Sequence, residues 1–407
     1  MPEIRGGFHS FPEAVQFFRR KVNVPSAQWD DLLHAEHASG FMVAGVTRMA
    51  VLDDIRTAVD AAIADGETLE DFRKRFRQIV AKHGWPGGAG GDSEAGFNWR
   101  TKVIYHTNLR TAYMAGRWEK LKTFPYLRYQ HNTQKNPRED HKAWDGKIIP
   151  TNDPWWQTHY PPNGWGCRCS VTGVSEARLR TLGGRPDAAP GTGAGEPPPE
   201  WAYHVGTGAR SMAAAESFGQ KVMTLPEAWR TAVLEDAQRR QVDWMQDWQQ
   251  LVDSLNHQIQ SNSVRATGSA QPVGFLTSGE TAGLAQAGVA VSNALIVAGD
   301  DTIIHVLRSS KLGEREELRA LFVEQAKAIP RWRSEGQFVS LLDMTQRHPK
   351  LLVVRKLADG RYMRMVIALD DARKYNRSRL IVNAVDTVEL STLDALRRLP
   401  VIDGSWE

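Results

Sequence analysis

The segment HYPPNGWGCRCSV, residues 159–171, contains both cysteines of the 407-residue chain. Cys167 and Cys169 are separated only by Arg168. Residues i and i+2 of a strand point to the same face, so the two thiols are expected to lie side by side. Two positions so close in sequence make a poor disulfide, and two cysteines are too few for a secreted disulfide framework. The pair therefore predicts either metal ligands or packed thiols.

The residues that precede the cysteines add three polar side chains: His141, Asp145 and His159. Thiolates and an imidazole form a donor set that zinc accepts. We therefore take His141, Cys167 and Cys169 as candidate ligands of a structural zinc ion. Two alternatives stay open. The thiols could pack as small apolar groups while His141 caps a turn, or a cysteine nucleophile could pair with His141.

The composition, 41% hydrophobic and 24% charged residues, is typical of a soluble globular chain with two or three domains. No apolar run approaches the roughly 20 residues that span a bilayer. The first residues lack the basic and apolar regions of a signal peptide. These features predict a protein that is made in the cytoplasm and has no membrane span.

The first hundred residues have the periodicity of amphipathic helices. Thr68 and Asp71 form a capping-box pattern at the start of one helix, and Gly84 is placed to end it. A further helix is expected over residues 97–123, with Trp99 among its core residues. The N-terminal part is therefore predicted to be helical.

The whole chain is predicted to be of the α+β class. A helical first domain with a small turn-rich β region is expected over residues 1–183, followed by a Pro/Gly-rich linker or arm over 184–225. A helical connector is expected over 226–269. The last domain, 270–407, is expected to contain helices followed by a four-stranded antiparallel meander, with Asp359-Gly360 as a hairpin turn.

One ordered set of residues resembles a known family signature. Arg-x-x-His-x-x-x-Asp-Gly, then Asp-Pro-Trp-Trp, then Pro-Pro-x-Gly-x-x-Cys-Arg-Cys looks like the signature of the phage Mu F-type minor head proteins. It falls here on Arg138, His141, Asp145, Gly146, Asp153, Pro154, Trp155, Pro161, Pro162, Gly164, Cys167, Arg168 and Cys169.

The resemblance extends over roughly residues 8–215. It implies a low-copy virion component in the capsid interior near the portal, synthesised in the host cytoplasm. It also implies portal and capsid proteins as partners in head morphogenesis, with a role in handling packaged DNA at ejection.

The positive charge is concentrated in the C-terminal part. The net charge is +4, and residues 301–407 carry the whole excess. Between residues 347 and 379 there are ten Lys and Arg against three Asp and Glu. Such a balance suits contact with a phosphate backbone. Arg355, Lys356 and Arg361 are the candidate nucleic-acid contacts.

The order of helices and strands in residues 270–407 resembles the phage-borne nuclease-like domains grouped with barnase, EndoU, colicins and RelE. That resemblance implies a metal-independent ribonuclease acting on host RNA. His305 would be the acid or base, Arg364 would stabilise the transition state and Thr387 would assist. The family often has a second histidine where this chain has Ser310. Alternatively, His305 packs or caps a helix and the arginines form a solvated sheet face.

Three functional interpretations follow from the sequence. The first is a phage minor head protein that carries a nuclease-like domain. The second is a nuclease toxin or effector that uses the head domain for packaging and delivery. The third, a zinc-dependent DNA-binding protein, would have no place in virions.

Overall fold

The computed structural model describes residues 12–85, 93–132, 136–191, 195–208, 211–240, 245–308, 316–335, 337–375 and 378–406. The chain divides into two compact units, Met1–Ser211 and Met212–Glu407. The predicted α+β class is confirmed, with a helical N-terminal part and a large sheet near the C-terminus. The Pro/Gly-rich residues 184–225 contribute to both units.

The first unit begins with helices and two very short strands. These elements are α1 (Pro12–Arg19), β1 (Val22–Asn23), α2 (Glu36–Ser39), β2 (Gly40–Phe41), α3 (Met49–Ala64), α4 (Leu69–His83) and α5 (Glu94–Leu121). The Thr68 hydroxyl accepts from the Asp71 backbone N–H, which confirms the capping box. Gly84 ends α4 in the left-handed conformation, with φ of 56°. Local sequence signals therefore define both ends of α4.

The prediction for Trp99 was wrong. Its side chain is 62% exposed on α5, whereas Thr101, Ile104 and Tyr105 face the helices that pack against α5. An α-helix turns about 100° per residue, so Trp99 lies about 160° away from Thr101 around the helix. Near Trp99, therefore, neighbouring helices pack against one side of this 28-residue helix and the opposite side faces solvent.

A three-stranded sheet follows the helices of the first unit. It contains β3 (Tyr126–Gln130), β4 (Ile148–Pro150) and β5 (Ser170–Val174), in the antiparallel order β4-β3-β5. The connecting helices are α6 (Glu139–Ala143) and α7 (Trp156–His159), and α8 (Glu176–Thr181) and α9 (Val205–Gly208) come after β5. This is the turn-rich β region that the sequence predicts.

The Pro/Gly-rich segment contacts the edge of this small sheet. The backbone N–H of Asp187 donates to the carbonyl of Ile148, and the Asp187 carboxylate accepts from the N–H of Ile148, both at 2.7 Å. These two hydrogen bonds use polar groups that an edge strand otherwise leaves open. Asp187 is therefore part of the first unit's structure.

The second unit begins with three helices and ends in a seven-stranded sheet. Its helices are α10 (Met212–Thr224), α11 (Glu227–Arg240), α12 (Met245–Gln260), α13 (Ser278–Gln286), α14 (Asp300–Arg308), α15 (Glu316–Ala328) and α16 (Leu393–Leu396). Its strands are β6 (Ala270–Phe275), β7 (Leu295–Gly299), β8 (Phe338–Asp343), β9 (Lys350–Lys356), β10 (Tyr362–Tyr375), β11 (Ser378–Ser391) and β12 (Val401–Gly404).

The strand order is β12-β8-β9-β10-β11-β7-β6. The antiparallel β8 to β11 meander is confirmed, and Gly360 adopts the positive φ of 84° in its hairpin turn. Strands β6 and β7 were not anticipated, and β7 pairs with β11 in parallel. In the described residues no helix has the length and apolar character needed to cross a membrane.

The two faces of the large sheet have separate apolar layers. Ile303 and Leu307 of α14 pack with Met363 and Met365 on one face. Val366 packs on the other face against the layer that includes Leu396 of α16. Because successive strand residues point to opposite faces, Met363 and Met365 lie on the first face and Arg364 and Val366 on the second.

Candidate metal centre

The two cysteines lie at the entry to β5. Cys167 and Cys169 are 2% and 0% exposed, and Arg168 between them is exposed. Both thiols are therefore buried in the irregular segment that leads into β5, whereas the side chain between them faces solvent. Both cysteines are free thiols.

His141 on the short helix α6 reaches the same place. Its side chain is buried, and its Nδ1 atom lies 3.7 Å from Sγ of Cys167 and 3.6 Å from Sγ of Cys169. One donor atom from each residue lies within 4.8 Å of the other two. The structure therefore brings together the three side chains that the sequence analysis takes as zinc ligands.

Aromatic rings fix the orientation of His141. Its imidazole stacks on Trp144, with ring centroids 4.9 Å apart and planes 20° apart. Trp144 also makes edge-to-face contacts at 5.5, 5.5 and 5.0 Å with Tyr129, Trp155 and His159. Such packing restricts the rotation of the imidazole, so its Nδ1 remains directed at the thiols.

Two arginines of α5 hold the strand that carries the cysteines. Nη2 of Arg110 donates to the Cys169 carbonyl at 2.6 Å, and Nη2 of Arg117 donates to the Val171 carbonyl at 2.8 Å. These bonds tie the long helix to the start of β5. The Arg110 charge also lies close to the thiols, where it favours their ionised form.

The pKa values of the two thiols are shifted in opposite directions. A hydrogen bond from the Cys169 thiol lowers the pKa of Cys167, and His141 adds to this effect while burial opposes it. The same interaction with Cys167, together with burial, raises the pKa of Cys169. In this arrangement Cys167 is the thiol that gives up its proton more readily.

Asp145 and His159 do not join the cluster. The Asp145 carboxylate accepts the backbone N–H of His131 at 2.8 Å. The His159 ring stacks on Trp155 at 4.4 Å, and its Nε2 lies 3.7 Å from the Glu196 carboxylate. Both side chains therefore have local structural contacts.

The signature residues Arg138 and Gly164 form a close contact beside the thiols. Nη2 of Arg138 donates to the Trp165 carbonyl at 2.8 Å. A Cβ at Gly164 would lie 3.1 Å from the Arg138 guanidinium, so a larger residue would crowd this contact. Glycine thereby permits the turn before Cys167 to approach Arg138.

The candidate catalytic residues of the second unit do not meet at one site. His305 is exposed on α14, the helix that packs on the face of Met363 and Met365. Arg364 lies between those two methionines and therefore points to the opposite face. Thr387 pairs with Val366 and shares that opposite face. Ser310 lies outside the described residues.

The candidate nucleic-acid contacts lie near the β9–β10 hairpin. Nη2 of Arg355 donates to the Glu335 carbonyl at 2.8 Å, and Arg361 forms an ion pair with Asp359 at 2.6 Å. Lys356 is exposed at the end of β9. Arg364 likewise pairs with Glu389 at 2.8 Å. The carboxylate partners of Arg361 and Arg364 reduce the positive potential that the residue counts alone would predict.

A buried imidazole that the sequence analysis did not single out lies elsewhere in the first unit. His204 is 3% exposed and stacks on Tyr160 at 4.1 Å. Its Nδ1 accepts the backbone N–H groups of Gly206 and Thr207 at 3.1 and 3.2 Å. Burial lowers the pKa of His204 from the ordinary 6.5 to about 3.

Because His204 is buried in its neutral form, the first unit is expected to lose stability as the pH is lowered. Below pH 6.5 His204 becomes protonated in the unfolded chain but stays neutral in the folded protein. The free energy of unfolding therefore decreases as the pH is lowered, until the folded pKa of about 3 is reached. The loss from this group should be about 2–3 kcal/mol between about pH 7 and 4.5. Urea unfolding at the two pH values measures it.

His204→Asn is the matched variant for that measurement. The asparagine oxygen can still accept from Gly206, but the side chain does not titrate. The pH dependence of the unfolding free energy should therefore be shallower than in the parent. Identical pH dependence in both proteins would contradict the assignment.

Residues 53–172 match the family model described as "Phage Mu protein F like protein". The matched segment contains the signature residues and all three side chains of the candidate metal centre. The part of the chain that contains the small sheet and the candidate metal centre is thus similar to a family of phage proteins.

Two curated relatives give particular cases of this similarity. The "Putative capsid assembly protein F" of Escherichia phage Mu is 38% identical over 183 residues, which are 42% of this chain and 42% of that protein. The "Mu-like prophage FluMu F protein" of Haemophilus influenzae is 39% identical over 163 residues, 38% of this chain and 39% of that protein. The matches thus span about two fifths of each relative's length. No solved structure matches the chain.

Proposed function

We propose that this chain is a capsid-assembly protein of a tailed phage or prophage, acting as a minor component of the head. The observation that carries the proposal is the 38% identity to a protein described as a putative capsid assembly protein. The family match runs from within α3 to within β5. The similarity therefore includes the helical core, the small sheet and the cysteine cluster, and it is not limited to a short motif.

The proposed location is the interior of the virion near the portal, after synthesis in the host cytoplasm. The proposed partners are the portal and capsid proteins. The signature at Arg138–Cys169 supports this finer assignment through its resemblance to minor head proteins. Copies of the chain in purified particles, detected by mass spectrometry, are the expected result.

A ribonuclease activity of the second unit receives no support from side-chain placement. His305 belongs to a helix on one face of the large sheet, and Arg364 and Thr387 lie on the other. General acid–base catalysis requires the groups to reach one substrate together. The proposed function is therefore limited to head assembly and does not include the nuclease toxin or effector.

Removal of residues 53–172 tests the proposal. A phage or prophage that encodes this deletion should accumulate capsid protein and yield few infectious particles, because the matched segment is missing. Plaque titre and electron microscopy of particles measure the effect. Supplying the intact chain from a plasmid is the control and should restore the titre. A normal titre from the deletion would refute the head-assembly function.

A further inference from the structure

We propose that His141, Cys167 and Cys169 bind one zinc ion, which holds α6 against the entry to β5. The inference goes beyond head assembly and can be tested without a phage. It uses side chains of the first unit that are all buried and that converge on one point.

The distances fit a tetrahedral zinc site. Zinc–sulfur bonds of about 2.3 Å and zinc–nitrogen bonds of about 2.0–2.1 Å, at a tetrahedral angle, place nitrogen and sulfur about 3.6 Å apart. The observed distances from His141 Nδ1 are 3.7 Å to Cys167 Sγ and 3.6 Å to Cys169 Sγ. The two sulfur atoms also lie within 4.8 Å of each other, so one ion can approach all three donor atoms.

Hydrogen bonding alone explains the arrangement less well. The Nδ1 atom of an imidazole has either one proton or one lone pair, so it makes one good hydrogen bond. Here two sulfur atoms lie at nearly equal distances from that one nitrogen. A shared ion accounts for both contacts, since each of the three atoms then bonds to the metal.

The donor types select the ion. Two thiolates and an imidazole are poor ligands for magnesium or calcium, which prefer oxygen. Zinc accepts this set and needs no redox partner. No fourth His, Cys, Asp or Glu among the described residues has a donor atom in the group. The three side chains therefore supply three of the four ligands of a tetrahedral site.

The location gives the ion a structural role. His141 lies 26 residues before Cys167, and much of the chain between them is turns and short elements. The three ligands converge only when this segment is folded, so zinc binds the folded chain and stabilises it. Zinc binding should therefore contribute directly to folding of the small sheet.

Metal analysis of the full-length protein is the first test. Protein purified under reducing conditions should contain about one equivalent of zinc. A strong chelator should lower the melting temperature, and added zinc should restore it. Protein with no zinc and a melting temperature unaffected by chelator would overturn the proposal in favour of packed thiols. A stoichiometric ion other than zinc would also overturn it.

Two substitutions at one position separate ligation from packing. His141→Cys keeps a donor atom and should retain zinc. His141→Phe keeps an aromatic ring against Trp144 without the donor, and its zinc content should fall well below that of the parent. His348→Phe, at an exposed histidine, is the matched control and should retain full zinc. Equal zinc content in His141→Phe and the parent would refute ligation by His141.

Cobalt substitution covers the case in which the His141 variants do not fold. The unmodified protein, stripped of zinc and loaded with Co²⁺, should show thiolate-to-cobalt charge-transfer absorption and the visible bands of a tetrahedral site. A spectrum without charge transfer would show that the cysteines are not ligands. Both outcomes are independent of whether the chain acts in head assembly.

Discussion

Arg333→Leu should lower the free energy of unfolding of the second unit by about 3–5 kcal/mol. Arg333 is 6% exposed, and its Nε donates to the fully buried Glu280 carboxylate at 2.8 Å. Ser340 Oγ donates to the same oxygen at 2.7 Å, and the N–H of Thr277 donates to the other at 2.9 Å. Removing the arginine leaves a carboxylate charge in an apolar interior without its cation. Urea or thermal unfolding measures the loss.

Arg331→Leu is the matched control for this experiment. Its ion pair with Glu335 is 3.0 Å long, but the two side chains are 33% and 50% exposed. Solvent screens such a pair, so the expected change is below about 1 kcal/mol. The double variant Glu280→Gln with Arg333→Leu should recover part of the loss, because glutamine is neutral and still accepts hydrogen bonds. Equal effects of the Arg333 and Arg331 substitutions would disprove the burial argument.

Trp144→Ala should destabilise the first unit by about 3–5 kcal/mol. Trp144 is 1% exposed and contacts Tyr129, Trp155, His141 and His159. Alanine would leave a cavity at the centre of this aromatic group. Chemical denaturation of the full-length protein, followed by tryptophan fluorescence and circular dichroism, measures the effect.

Trp99→Ala removes the same side chain from an exposed position. Trp99 is 62% exposed, so its replacement should change stability by no more than about 0.5 kcal/mol. The difference between the two tryptophan variants thus isolates the contribution of packing. A loss from Trp144→Ala as small as that from Trp99→Ala would mean that the aromatic group adds little to the fold.

Features set by neighbouring residues could be predicted from the sequence. The capping box of Thr68 and the αL end of α4 at Gly84 need only a few consecutive residues. The Cys-x-Cys spacing likewise keeps the two thiols close to each other. The choice of His141 as a third candidate ligand rests on its residue type, and its Nδ1 lies 3.7 Å from Cys167 Sγ and 3.6 Å from Cys169 Sγ.

Features set by distant residues could not be predicted in the same way. Strand β6 contains Pro272 and Gly274, which weaken a strand pattern, and it gains its hydrogen bonds from β7. The sides on which His305 and Arg364 lie depend on how α14 packs on the sheet. The Glu280–Arg333 pair joins residues 53 positions apart. Thr277 and Glu280 form a capping box, but this local pattern does not identify Arg333 as a partner of the carboxylate.

The contacts of Asp187 with Ile148 change where the chain can be divided for laboratory work. By composition, residues 184–225 suggest a cut directly after residue 183. Such a cut would also discard Glu196 beside His159, and Trp201, which is 5% exposed and packs edge-on to Trp165 at 5.1 Å. A fragment that ends at Ser211 keeps these groups, so that boundary gives the first unit its complete interior.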